Sequence, residues 1–374
     1  MELGLAGKRA TLLGLTAALA LCEAPAASAA INVQIVNQTG RPDSQVYVML
    51  DGGSSSDGQL SDDVGTKLNS LRGSQFSLRD LSGGRIYFSY GTPVTNAEPP
   101  GSRVRYDKVE LTYPGVANLT AVDFFGIPFK LQARAASGKT LGTLAWKAPT
   151  DTVKRALLAI PGARQALVKT RSGGFARILS PQLSASSYPS FKKYVGSLKG
   201  KQLTVRGDFF GNPFQSFDYA GPFMGAGTTT LSGTIKGQGG SRAPGQALSV
   251  AGSTLPSAIY TVNGPYTWGG ATHMVSDNDV YSVIYRDLIA GFAWGYWGGR
   301  YGNDSAKWQN KPPFAAARKK TTSYATYNEY AAVVYRYSNA YGFSFSDTGP
   351  KKVLLPLDNA ATLRITILPD RTKR

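Results

Sequence analysis

From residue 31 onward the chain alternates apolar and polar positions in short runs. Asn32–Val36 and Gln45–Leu50 both follow this pattern, and Thr39-Gly40-Arg41-Pro42-Asp43 between them supplies the turn. Arg85–Tyr90 is a further run of this kind, opened by Gly83-Gly84. A period of two gives each run one face for a core and one for solvent, which predicts paired strands from Ile31 to Leu131. Between them, Asp51–Asp63 is rich in Gly, Ser and Asp but lacks the ordered ligand spacing of a calcium loop, so an exposed loop is expected.

The pattern changes at Lys147. Thr152–Ile160 reads as a helix with Asp151 as its cap and Pro161-Gly162 as its stop, and Ser190–Leu198 reads as a second. Strand-like content returns at Gln202–Phe210, Thr229–Ile235 and Ala247–Val250, amid many glycines. Val280, Val283, Ile284 and Leu288 recur at helical spacing and predict a helix over Asp279–Trp294. Asn328–Tyr337 predicts another helix, and Thr362–Leu368 a closing strand. The expected fold class is mostly β with a mixed α/β second lobe. Residues 30–146 form a β-sandwich or barrel, 147–340 the mixed lobe, and 341–374 return to the first lobe, with a polymer-sized cleft between the two.

Residues 1–29 carry a different signal. Lys8-Arg9, the apolar run Thr11–Leu21 and the small-residue pattern Ala27-Ser28-Ala29 match a cleavable secretory leader. Export is therefore expected, to a periplasm or to the outside, with no integral membrane segment once the leader is removed. A lipid anchor at Cys22 is the competing reading, disfavoured by the bulky Leu21 before it. Cys22 is the only cysteine, so the mature chain has no disulfide, no thiol nucleophile and no cysteine metal site. His273 is the only histidine, which removes any multi-histidine zinc site. No metal or cofactor is expected. The net charge of +18 is spread over pairs and triplets such as Arg318-Lys319-Lys320, with no nucleic-acid motif around them. A solvated basic surface is expected rather than a nucleic-acid partner, and the chain is expected to act as a monomer.

Two neighbouring segments carry the candidate chemistry, Tyr106–Tyr113 and Asn118–Phe125. Strand alternation puts Val109, Leu111 and Tyr113 toward the core and Lys108, Glu110 and Thr112 on the other face. Asp123 is set among Val122, Phe124, Phe125 and Ile127, where a carboxylate needs a partner or a task. Pro114-Gly115 offers a turn between the two runs, and a hairpin closing near Val116-Ala117 would set Glu110 and Asp123 opposite each other. Facing acids push each other's pKa apart, as an acid and base pair requires. The alternative is that Glu110 pairs with Lys108 or an arginine while Asp123 caps a turn. Four of the five tryptophans lie between residues 268 and 308. Trp297 and Trp308 are expected to offer rings to a sugar, Trp294 to be core, and Lys108 to reach substrate beside Glu110.

These segments resemble glycoside hydrolase family 64, the laminaripentaose-producing β-1,3-glucanases with a thaumatin-like fold. The likeness starts at Ile35–Gly40 and Gln45–Val48, continues through Arg85–Gly91, and is sharpest at Tyr106–Tyr113 and Asn118–Pro128. It is looser at Arg177–Pro181, Pro256–Tyr260 and Asn328–Asp347. The resemblance implies inverting hydrolysis of β-1,3-glucan, with Glu110 as general acid and Asp123 as general base. It also implies that Thr112 and Asn118 touch the sugar and that Asp347 faces the cleft from the far lobe. Tyr335 stands where the family carries a histidine, and Ser346 replaces the first of a pair of aspartates. Those departures favour a rival of another class, a thaumatin-like protein that binds β-glucan without cutting it. A third reading, a basic surface or nucleic-acid binder, rests on charge alone.

Overall fold

The computed structural model describes residues 29–209, 212–237, 242–277, 280–308, 311–314, 324–348 and 352–371. The leader read at residues 1–29, with Cys22, lies outside them apart from Ala29. The chain begins with β1 (Ile31–Asn37), β2 (Val46–Asp51), the two-residue β3 (Thr66–Lys67), β4 (Gln75–Leu78) and the long β5 (Leu81–Tyr90). It continues through β6 (Tyr106–Tyr113), β7 (Val116–Leu119), β8 (Phe124–Phe125), β9 (Phe129–Arg134) and β10 (Thr140–Ala145).

The described helices of α type all follow residue 147. They are α1 (Thr150–Leu158), α2 (Lys192–Ser197), α3 (Leu255–Thr261), α4 (Val280–Ala293) and α5 (Glu329–Tyr337). The strands among them are β11 (Leu167–Lys169), β12 (Phe175–Leu179), β13 (Gln202–Phe209), β14 (Asn212–Pro222), β15 (Thr228–Lys236), β16 (Arg242–Pro244), β17 (Leu248–Ala251), β18 (Tyr266–Trp268) and β19 (Ala271–His273). The chain closes with β20 (Leu354–Pro356) and β21 (Thr362–Ile367).

Two sheets of the early strands pack face to face. One runs β10-β9-β21-β1-β4 and the other β20-β7-β6-β5-β2-β3. The alternation seen in the sequence is what fills the space between them. Val33 and Ile35 of β1 pair in parallel register with Leu363 and Ile365 of β21, and all four are buried. Val48 and Leu50, Ile86 and Phe88, Val109 and Leu111 face them from the second sheet. The Phe88 and Phe129 rings meet across the gap at 5.1 Å, joining the two layers. β20 and β21 both come from the last residues of the chain, and β21 sits between β1 and β9.

The later residues build a three-stranded sheet, β11-β12-β8, and a larger one through β13-β14-β15-β17-β18-β19, with β16 beside β15. α4 is buried on nearly every side, which its almost unbroken apolar sequence requires. Two groups of contacts tie this part to the sandwich. Phe125 packs on Trp146 at 4.6 Å, and Trp146 bridges to Ser338 just past α5. Asp370 takes both guanidinium nitrogens of buried Arg105, at 2.5 and 2.8 Å, and the Thr150 hydroxyl at 2.9 Å. These bonds hold its carboxyl below the usual range against the effect of burial.

Candidate active site

The outer face of the β20-β7-β6-β5-β2-β3 sheet carries the polar residues of β6. Cross-strand register sets Asp51, Arg85, Glu110 and Asn118 side by side in one row. In the next row Met49, Tyr87 and Lys108 are neighbours. Arg85 lies 3.4 Å from Asp51 and 3.5 Å from Glu110, with its Nε toward the Glu110 carboxylate. Burial works against the Arg85 charge, but Glu110, Tyr87 and Asp51 together outweigh it and the pKa of Arg85 rises.

Lys108 is the centre of the arrangement. Only 8% of its side chain is exposed, against 31% for Glu110 and 21% for Asp123. Its ammonium donates to Oδ2 of Asp123 and lies 5.6 Å above the Phe124 ring. Burial opposes that charge, yet Asp123 first and Glu110 next raise its pKa above the ordinary lysine value. A charged ammonium therefore holds Asp123 directly and interacts with Glu110 through its field. This differs from the expectation in two ways. The hairpin turns at Pro114-Gly115, with Leu111 paired to Ala117, so Glu110 faces Asn118 and not Asp123. Pro114-Gly115 is the turn that the sequence offered, but the apolar Val116 and Ala117, expected at the closing point, already belong to the next strand. Lys108 itself is a buried partner of the acids and not an exposed arm for substrate.

Asp123 lies in a bend between β7 and β8, not within a strand. Its apolar neighbours part around it. Phe125 and Ile127 enter the main core, Phe124 joins Tyr106, Tyr87 and Met49, and Val122 packs with Tyr341 and Val353. The carboxylate keeps Lys108 as its partner, so the cost of that apolar setting is met by a charge. Beneath the site, Asp107 points the other way and accepts N–H bonds from Gly126 at 2.7 Å and Ile127 at 3.0 Å. Gly126 has no room for a side chain, since a Cβ there would lie 2.6 Å from the Tyr106 carbonyl oxygen. Of the alternative weighed for the acids, the arginine beside Glu110 is present, whereas Asp123, expected there to cap a turn, pairs with Lys108.

The other expected site residues divide. Thr112 shares the Glu110 face, and its hydroxyl accepts the Gly83 N–H at 3.1 Å. Asn118 is buried beside Glu110, and its side-chain oxygen meets no hydrogen-bond donor among the described residues. Asp347 is exposed in a 3-10 turn. Tyr341 joins it to the sheet. Its backbone bridges Thr120 at the end of β7, and its hydroxyl is pushed up by burial, then by Asp347, then by Glu110. Trp297 and Trp308 go elsewhere. They are 0% and 8% exposed, pack on each other at 4.3 Å over Gly291, and the Trp297 indole donates to Leu288. Proximity in sequence suggested open rings, but the apolar α4 takes both as core. Trp294 is core, as expected, against Phe314, Tyr335 and Phe343. Ser346 is buried, its hydroxyl accepting from Gly342 and Phe343 N–H at 3.1 and 3.0 Å.

Sequence reasoning missed Asp51, Arg85, Tyr87 and Tyr341 as neighbours of the acids. Arg85 alone had a signal, a charge within a strand at the register of Glu110. It also missed Asp287 on α4. That carboxylate is half-buried over Gly207, and burial together with Asp347 pushes it up to about 7 although Arg286 pulls it down. Among the described residues no three His, Cys, Asp or Glu gather as a metal site.

Residues 30–198 match the sequence model of the glycoside hydrolase 64 family, described as β-1,3-glucanase. Solved family 64 structures extend the likeness along the chain. A laminaripentaose-producing β-1,3-glucanase in complex with laminaritetraose superposes with a TM-score of 0.64 at 20% identity, covering 91% of this chain and 99% of its own. The β-1,3-glucanase domain from Clostridium beijerinckii gives 0.63 at 18%, covering 90% and 98%. The laminaripentaose-producing enzyme from Paenibacillus barengoltzii gives 0.54 at 15%, covering 90% of this chain and 74% of its own. At these identities the structures speak for the fold. No curated protein matches in sequence. The family 64 match contains Glu110, Asp123, Lys108, Thr112 and Asn118, while Asp347 and Tyr341 lie beyond it.

Proposed function

We propose that this protein is an exported family 64 glycoside hydrolase that cleaves β-1,3-glucan with inversion, Glu110 serving as general acid and Asp123 as general base. The observation that carries the reading is a pair of part-exposed carboxylates, Glu110 on the sheet face and Asp123 in the bend after β7, that both act on the buried Lys108 ammonium. Inversion needs an acid to protonate the leaving glycosidic oxygen and a base, across the ring, to take a proton from the attacking water. Lys108 donates to Oδ2 of Asp123, which leaves Oδ1 for the water. Glu110 delivers its proton from the other side, and Asn118, in the same row, is placed to hold a sugar hydroxyl. Thr112 and Asp347 complete the contacts, in a cleft of a thaumatin-like fold. The chain acts as a monomer, needs no cofactor, and leaves the cell interior by the leader at residues 1–29. Among the described residues no helix is long and apolar enough to cross a membrane.

A second reading has its own support. Both acids have a cation, Arg85 or Lys108, and such pairs serve equally in a glucan-binding protein that does not cut. Release of reducing ends from laminarin or curdlan separates the two, with proton NMR of the first products. Cleavage giving the α-anomer supports the proposal. Binding without cleavage favours the rival, and an initial β-anomer excludes inversion.

A further inference from the structure

Asp123 stands on a segment that its own sheet does not hold. β7 ends at Leu119 and β8 begins at Phe124. Between them, the carbonyls of three consecutive residues are each met by a donor from much later in the chain. The Tyr330 hydroxyl on α5 donates to Ala121 at 2.9 Å. The Ser180 hydroxyl donates to Val122, and the Ser180 N–H donates to Asp123 at 2.8 Å. Ala121 in turn donates its N–H to Tyr341 at 2.8 Å. Ser180 and Tyr330 are both buried, so water is not at hand to replace either hydroxyl.

We infer that Ser180 and Tyr330 are positioning residues for Asp123, fixing where the base stands relative to Glu110. The inference rests on the proposed role of Asp123. Glu110 is set by the ladder of β6 with β5 and β7, which neither residue touches. Loss of either hydroxyl leaves a buried carbonyl without its donor and frees the bend on one side only. The base then moves while the acid stays, and a misplacement of about 1 Å can cost up to about a hundredfold in rate. Because the buried bonds leave the sugar contacts alone, the loss should fall on kcat and not on KM.

Tyr330→Phe and Ser180→Ala test this on the full chain with laminarin. Tyr194→Phe serves as control, since it also removes a buried hydroxyl that donates to a carbonyl, that of Trp297 at 2.6 Å. Each test variant should lower kcat about tenfold with KM within twofold, and Tyr194→Phe should leave kcat alone. In an Asp123→Asn background Tyr330→Phe should cost little more, because a residue acting through Asp123 has nothing left to place. A folded Tyr330→Phe and Ser180→Ala with normal kcat, or a full further loss on top of Asp123→Asn, overturns the inference. If the wild type does not cleave laminarin, or Asp123→Asn cleaves it normally, the proposed function has failed instead. A crystal structure of Tyr330→Phe then decides the placement itself, and an unmoved Asp123 counts against it.

Discussion

Glu110 and Asp123 face the same buried ammonium, but they are held by different parts of the molecule. Glu110 occupies the middle of β6, with β5 on one side and β7 on the other, and its position follows from the alternation of one strand. Asp123 occupies a bend fixed by donors from Ser180 and Tyr330 and, beneath it, by the Asp107 carboxylate, which accepts the Gly126 and Ile127 N–H groups. The first arrangement is local and redundant, since losing one ladder bond leaves many others. The second concentrates placement in a few long-range bonds. A pair built this way has one rigid member and one whose position depends on how distant segments dock.

The largest effect should come from the acids themselves. Glu110→Gln and Asp123→Asn should each lower turnover at least about a hundredfold in folded protein, and near-normal activity in either would end the assignment. Next comes Asp107, which holds the bend from below. Asp107→Ala leaves the Gly126 and Ile127 N–H groups buried without an acceptor, at a cost of roughly 3 kcal/mol. Denaturant unfolding measures that loss, and a cost under about 0.5 kcal/mol would show the bend to be held without it.

Removing the shared charge sharpens the comparison from another side. Lys108→Met should lower kcat roughly tenfold, because Asp123 loses the donor that holds its Oδ2. An unchanged kcat would mean that Lys108 does not hold the base.

The smallest effect concerns Asp287, outside both holding schemes. Its carboxyl is pushed from the ordinary 3.8 up to about 7, so between those values the folded state binds the proton more tightly than the unfolded state. Stability contributed by that proton is complete at low pH and is lost as pH rises toward about 7. Asp287→Asn should therefore melt a few degrees above wild type at pH 8 and level with it near pH 4. The opposite trend would place the titration elsewhere.

What the sequence made legible follows the same division. Tyr106–Tyr113 is a strand over the expected residues, and Val109, Leu111 and Tyr113 are buried as the period of two requires. The helices around Val280–Ala293 and Glu329–Tyr337 lie within a residue of their expected bounds, because Asn328 caps one and the apolar run defines the other. The setting of Asp123 was not legible. Its bend has no period, and its donors sit at positions 180 and 330, where nothing local marks a hydroxyl as a partner of residues 121 to 123. Trp297 and Trp308 fail for a related reason. Sequence clustering places rings near one another but does not say which way they face, and a helix apolar on nearly all sides draws them inward.

The placement of β21 governs when this molecule can fold. Val33 pairs with Leu363, 330 residues later in the chain. At ribosomal speed that interval amounts to roughly 15 to 65 s during which β1 has no parallel neighbour and its sheet no middle. Until the last residues emerge, β1 and β4 on one side and β9 and β10 on the other are separate ribbons with open edges. The two ribbons therefore join only when β21 arrives, and a chain cut before Thr362 would lack not a fringe but the strand that makes one sheet out of two.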